Sequence, residues 1–456
     1  MFKALLAWLF GRGKPSAAPL RTATDGFDKL NRDAPLRATT PDLSADGIVT
    51  FLCREAVLGR NQRIAGYQFM LQEGTRARIR HSNRRVHHVY VDVLVRNLIN
   101  ADIGELLGHR IAFIDVPDSF LTAPCLAHLP AANVVLIPTA LPDAGAPDFD
   151  SLRRTVEDLR KRGFRLGLHD PNVVTEFNGL LPWADFIIAH AQGLDARRGL
   201  QLSNIALEVA PNARLLVREL PSIEEFRFSF KLGASLFQGP FITRREDWTE
   251  RELGPSTLRI GTLIARLRAD ADTHELAELL KQDAALSLRL LRYINSAANA
   301  LPQSVSSIEN ALALLGREKL YRWLILLVCS TATESERGGA ALETALVRGR
   351  MMELLAAAHP SAERDALFLV GLLSLIDVIL QVPLDKALAP LALSADIDAA
   401  VRGKGGPLHD LLQVAIACER TQGDGLAEAA ERCGISPEQA TECHMQALSW
   451  AMQIQD

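Results

Sequence analysis

The hydrophobic period changes once along this chain, near residues 241–256, and that change limits the possible fold more than any motif. Before it, the short strand-like runs "RIAFIDV", "NVVLIP", "FRLGL", "DFIIAH", "ARLLVREL" and "ASLFQG" alternate with amphipathic segments. After it, apolar residues keep helical spacing: Leu286, Leu290, Leu291 and Ile294 form one stripe, and Leu320, Trp323, Leu324, Leu327 and Val328 another. A repeated strand–helix rhythm builds a parallel sheet, and this many units within about 200 residues points to a compact α/β barrel of the TIM type. An open doubly wound sheet is the structural alternative. The second half is expected to be all-α.

The segment "FITRREDWTERELGPS" is charged and ends in Gly-Pro, which places a module boundary there. Residues 11–46 are rich in Pro, Ala, Thr, Asp and Gly without an apolar period and read as a linker. The expected division is a flexible tail and linker over 1–47, a barrel over 48–245 and a helical module over 246–456. The boundary segment is short, so the two modules are expected to dock, the barrel meeting helices within 257–330. Helix punctuation supports this reading. Ser222 with Glu225 and Ser306 with Glu309 are spaced as capping boxes, Ser151 can cap "LRRTVEDLRKRG", and Ser436 precedes a helix that begins at Pro437.

With 48% hydrophobic and 23% charged residues, the 456-residue chain has ample core material. A formal net charge of −4 gives no footprint for nucleic acid, and the basic run "RARIRHSNRR" reads as a solvated loop. The six cysteines include no C-x-x-C pair, which fits a reducing, cytoplasmic setting. The apolar stretch Ala4–Phe10 is far short of the ~20 residues that span a bilayer, so no membrane span is expected; it reads as an amphipathic tail able to associate weakly with a membrane surface, with a weak signal peptide as the alternative.

In barrel enzymes the chemistry sits at the carboxyl ends of the strands. Those positions here offer Gln68, Asp115, Ile137, His169 with Asp170, His190 and Arg218. In "IAGYQFMLQEG", alternation puts Ile64, Gly66 and Gln68 on one face and Tyr67 and Phe69 on the other, so an amide occupies a position where phosphoester chemistry would use a carboxylate. Asp115 and Asp170 alone cannot hold two hard cations. His169-Asp170 reads as a polar strand exit before Pro171. His409-Asp410 reads as a helix N-terminus with the acid favourable to the dipole. Ser374 and Asp377 lie three apart on an apolar helix, spaced as a locally bonded core pair. No Gly-rich phosphate loop, nucleophile elbow or zinc spacing is present.

Two longer stretches, "LGASLFQGPF" and "DAALSLRLLRYINSAANALPQSVSSIENALALLGREKLYRWL", bring a resemblance into view. The first half resembles an EAL domain, the barrel of cyclic di-GMP phosphodiesterases, and the second resembles an HDOD domain; together they look like the EAL–HDOD tandem proteins of bacterial signal transduction. The resemblance implies that Gln68 stands at a metal-binding Glu and Gln72 at a substrate-phosphate arginine. It places Asp115 at a metal-binding Asn, Ile137 at a second metal Glu, Ile188 at a lysine and Arg218 at a further metal Glu, with the Asp-Asp pair half kept as His169-Asp170. In the helical half, Ser374-Leu375 stands where HD-type hydrolases have His-Asp.

The resemblance implies scaffolds with altered chemistry. The expectation is a chain that is not an enzyme, without catalytic residues, metal or other cofactor, acting as a regulatory signalling protein through protein partners. The alternatives are a residual metal-dependent cyclic di-GMP phosphodiesterase using Asp115, His169 and Asp170, or a sensor that binds the cyclic dinucleotide without cleaving it. Neither nucleic acid nor a spanned membrane is an expected partner.

Overall fold

The computed structural model describes residues 52–71, 84–139, 148–295, 305–331, 338–356, 361–419 and 425–455. Eight strands close into a barrel in sequence order: β1 Leu52–Gly59, β2 Ile64–Leu71, β3 Ile111–Pro117, β4 Val134–Thr139, β5 Arg165–His169, β6 Phe186–His190, β7 Arg214–Arg218 and β8 Leu236–Gln238. The expected barrel is therefore observed, with one departure. β1 runs antiparallel to both β2 and β8, while β2 to β8 are parallel to one another. The connection from Gly59 to Ile64 is a tight turn, closed by the Gly59 amide donating to the Arg63 carbonyl at 2.9 Å with Gln62 at φ 58°. A turn of that length makes a hairpin, whereas a parallel neighbour would need a long crossover.

Period-two alternation then fills the bore. Val57, Ile111, Phe113, Val135, Ile137, Phe186, Ile188, Leu216 and Leu236 form one inward cluster, all nearly or fully buried. Gly66 is required at its place because a Cβ there would lie 2.2 Å from the Ile111 carbonyl oxygen. Outside the barrel lie α1 Arg84–Asn100, α2 Ile103–Leu107, α3 Phe149–Lys161, α4 Ala196–Glu208 and α5 Ile223–Lys231. The Ser222 cap is observed, its hydroxyl accepting from the Glu224 amide. Ser151 does not cap: α3 begins two residues earlier, after Asp148.

From Pro255 onward the described residues form helices only: α6 Pro255–Arg268, α7 Thr273–Lys281, α8 Ala284–Ile294, α9 Ile308–Leu315, α10 Arg317–Ser330, α11 Gly338–Leu355, α12 Ser361–Leu373, α13 Ile376–Leu380, α14 Leu384–Leu388, α15 Ala395–Val401, α16 Pro407–Ala417, α17 Gly425–Arg432 and α18 Pro437–Gln455. Ser307, not Ser306, caps α9, accepting from Asn310. Ser436 caps α18 through the Gln439 amide, as its place before Pro437 predicts. The centre is α11 packed between α12 and α18, with Gly349 of α11 against Gly371 of α12. A Cβ on Gly371 would fall 2.4 Å from the Gly349 Cα, so glycine at both positions allows the two backbones to touch.

The two modules do dock, but the polar contacts across them fall on α11, α13 and α18 instead of the helices within 257–330. Tyr67 and Arg110 reach Glu343 of α11, Arg54 reaches His444 of α18, and Arg245 pairs with Asp377 of α13 at 2.6 Å. The linker length set the fact of docking and not its face. Among the described residues no helix is long and apolar enough to cross a membrane; the N-terminal apolar stretch lies outside them.

Candidate functional site at the barrel mouth

The inward alternation delivers polar side chains to the carboxyl ends of the strands. On β2 it is Gln68, on β3 Asp115, on β5 His169, on β6 His190, on β7 Arg218 and on β8 Gln238. Arg218 Nη1 lies 3.0 and 3.1 Å from the two Asp115 carboxylate oxygens, and Gln68 donates to the same carboxylate at 2.6 Å. Gln238 donates to the Gln68 carbonyl oxygen at 2.6 Å and to Glu55 of β1. Ile137 and Ile188 point into the bore just beneath, both fully buried.

Above this layer, the His169 and His190 rings stack with centroids 6.1 Å apart and planes 14° apart. His169 Nε2 lies 3.7 Å from Asp115, and His190 Nδ1 lies 3.2 Å from Glu219, whose backbone takes φ 60°. His190 and Glu219 are about half exposed, which makes them the open rim, while Arg218 is 3% exposed. The remaining Arg218 donors, Nε and Nη2, have no partner among the described residues.

Asp170 does not join this layer. Its carboxylate is held by Arg198 of α4 at 2.8 and 2.7 Å and by the Asn172 amide at 2.9 Å. The sequence-derived set is thus brought together for Gln68, Asp115, His169, Ile137, Ile188 and Arg218, while Asp170 is turned to a helix. Gln72 lies outside the described residues. Reading the sequence missed Glu55, Gln238, Arg198 and Glu219. Gln238 was findable, since it shares the parity of Leu236 in the strand "LFQ"; Glu55 was hidden because β1 was not recognised as a strand.

A pair of divalent cations, implied by the resemblance, does not fit these residues. Hard cations take several carboxylate oxygens, yet Asp115 is neutralised by a guanidinium and Asp170 by another. Two apolar side chains line the layer below. Among the described residues no group of three or more His, Cys, Asp or Glu is placed to hold a metal ion.

The same strand that brings Gln68 to the mouth turns Tyr67 outward into the contact with the helical module. Tyr67 is fully buried, its hydroxyl bonded to Glu343 and accepting from Arg110 at 2.8 Å. Burial, and next the Glu343 charge, push its phenol well above the ordinary tyrosine range. Arg110 also donates to the second Glu343 oxygen at 3.0 Å. Beside this cluster Arg54 donates to His444 Nε2 at 3.2 Å. Burial first, and then the Arg54 charge, hold that imidazole well below its ordinary value and hence neutral.

At the Ser374-Leu375 position, Ser374 donates to the Gly371 carbonyl at 2.7 Å and accepts from Arg348 at 3.0 Å, and Leu375 is buried. Ser374 and Asp377 do not form the local pair that their spacing suggests: Asp377 pairs instead with Arg245. Arg348 also forks onto Glu419 at 2.7 to 3.0 Å. His409 and Asp410 sit at the start of α16 as expected, His409 Nδ1 lying 3.0 Å from the Ala400 carbonyl oxygen.

Residues 257–394 match the HDOD domain family. The chain is 24% identical over 416 residues to the cyclic di-GMP phosphodiesterase CdgJ of Vibrio cholerae, covering 89% of this chain and 93% of the relative. It is 22% identical over 421 residues to the uncharacterized protein YuxH of Bacillus subtilis, covering 89% and 99%. Solved structures similar to it include an EAL domain protein from Listeria monocytogenes, with TM-score 0.36, 11% identity and coverage of 49% of this chain and 93% of that one. A standalone EAL protein from Vibrio cholerae O395, bound to cyclic di-GMP, has TM-score 0.34 and 17% identity, with 42% and 89% covered.

The match to CdgJ corrects the expectation that the chain is not an enzyme. A relative aligned over nearly the whole of both chains is named a phosphodiesterase. A closed eight-stranded barrel followed by a helical module that carries the HDOD match is the organisation of this chain.

Proposed function

We propose that this chain is a regulatory protein of cyclic di-GMP signalling, in which the cyclic dinucleotide addresses the barrel mouth and the helical module passes the outcome to a protein partner. The barrel is taken as residues 48–245 and the helical module as 246–456. One observation carries the reading: consecutive residues of β2 serve both places, Gln68 in the mouth layer and Tyr67 in the buried contact with Glu343. Successive side chains of a strand face opposite ways, so a shift of β2 at one place is felt at the other.

The mouth offers what an anionic dinucleotide engages. Its half-exposed His190 stacks on the mostly buried His169 above a buried guanidinium, and imidazole N–H groups donate to phosphate oxygens. The similarity to CdgJ supplies the ligand class. The test is calorimetric titration of the full chain with cyclic di-GMP in the presence of Mg²⁺ or Mn²⁺, with chromatography of the same samples for the linear dinucleotide. Saturable binding that weakens in His190→Ala supports the reading. Absence of both binding and turnover contradicts it.

A further inference from the structure

The barrel floor, at the opposite end from the mouth, presents two arginines, Arg165 and Arg214, that form no ion pair among the described residues. On β5 the inward residues are Arg165, Gly167 and His169. Gly167 is fixed inward because a Cβ there would lie 2.9 Å from both Ile137 and Ile188 of the bore. On β7 they are Arg214, Leu216 and Arg218, with Leu216 in the same bore cluster. Two residues back from Gly167 and Leu216, strand alternation therefore sets Arg165 and Arg214 on the inward side at the floor. Between them runs β6, whose Phe186 pairs in register with Gly167 on one side and Arg214 on the other.

The Arg214 guanidinium lies over the Phe186 ring at 4.6 Å, and Phe186 packs edge-on against Phe113 at 5.3 Å. Among the described residues neither guanidinium makes a hydrogen bond or an ion pair. The nearby acid is already committed: Asp185 pairs with Arg160 and accepts from the Leu166 amide at 2.9 Å. Desolvation, and then the Arg165 charge, hold Arg214 below the ordinary arginine value, with Asp185 opposing. Two like charges one strand apart repel until an anion stands between them.

We propose that Arg165 and Arg214 form a binding site for a phosphate-class oxyanion at the barrel floor, with Phe186 as its platform. The strands bearing the two residues are about 10 Å apart, twice the strand spacing. Two arginine side chains reach across that gap onto one tetrahedral anion, and their planar forks match its oxygens in pairs. Arg214 is exposed and Arg165 half-buried, so the site opens to solvent. Its chemistry suits a free phosphate or the phosphate of a small phosphomonoester.

The experiment titrates the full chain with inorganic phosphate and, separately, with glycerol phosphate, at ionic strength held constant with chloride. The readouts are the melting midpoint and ³¹P line width. A saturable response is expected, with Arg165→Gln and Arg214→Gln each weakening apparent affinity about tenfold and the double variant abolishing it. A response to both ligands assigns the free ion as sufficient; a response to glycerol phosphate alone assigns the organic carrier. The proposal is overturned if wild type responds to neither, or if the double variant responds as wild type does. Should the double variant lack native circular dichroism, the two single variants and Arg165→Lys decide in the same way.

Discussion

Arg218 grips both carboxylate oxygens of Asp115, at 3.0 and 3.1 Å, from a position 3% exposed to solvent. This pair occupies the centre of the mouth, and its two members are not equivalent. Asp115 is more exposed and keeps a second partner in Gln68, whereas Arg218 is buried with Asp115 as its counter-ion. Asp115→Asn leaves a buried cation uncompensated and is expected to cost about 3 kcal/mol in denaturant unfolding. Arg218→Met leaves a carboxylate that water and Gln68 can still satisfy, and should cost less than half as much.

The contact between the modules makes a parallel prediction. Glu343 is buried and receives both Tyr67 and Arg110. Glu343→Leu strands Arg110 and should cost about 3 to 5 kcal/mol. Adding Arg110→Met should recover much of that loss. A double-mutant cycle from urea unfolding gives the coupling, and additive costs would show that the pair does not join the modules.

Acid should weaken the same contact through His444. Its folded value lies well below that of a free imidazole, so the unfolded chain takes up a proton first as pH falls. Its stabilising contribution is present above about pH 6.5 and falls by about 1.4 kcal/mol per pH unit below it. His444→Leu should remove that part of the acid slope in pH-dependent unfolding. An unchanged slope between wild type and variant would place the acid sensitivity elsewhere.

Gly371→Ala tests the close approach of α11 and α12. Alanine favours a helix by up to about 1 kcal/mol over glycine, but here its Cβ would fall 2.4 Å from the Gly349 Cα. Separating the helices at the centre of the module should cost about 1 to 3 kcal/mol net. A thermal midpoint at or above that of wild type would count against the packing.

Much of this architecture is legible in the chain itself. Six strands announce themselves as short apolar runs between amphipathic segments, and the single change of period separates barrel from helices. The inward parity of Gln68, Asp115, His169 and Arg218 follows from alternation alone. What stayed hidden depended on partners distant in sequence. β1 carries charges at Arg54 and Glu55 because one meets His444 across the module contact and the other meets Gln238 in the bore, and charges in mid-strand erase the apolar pattern. The bond between Asp170 and Arg198 spans 28 positions and has no local signature. The docking face depended on Glu343 and His444, buried polar residues that nothing local distinguishes from the other polar positions of the same helices.

The claim that the mouth and the helical module communicate through β2 is tested most directly by amide hydrogen exchange of the full chain with and without saturating cyclic di-GMP. The account predicts altered protection in β2 together with α11 and α18, and loss of the response in α11 and α18 in Glu343→Gln with ligand binding at the mouth retained. Protection changes confined to the mouth strands, with α11 and α18 exchanging at the same rate in both states, would contradict it.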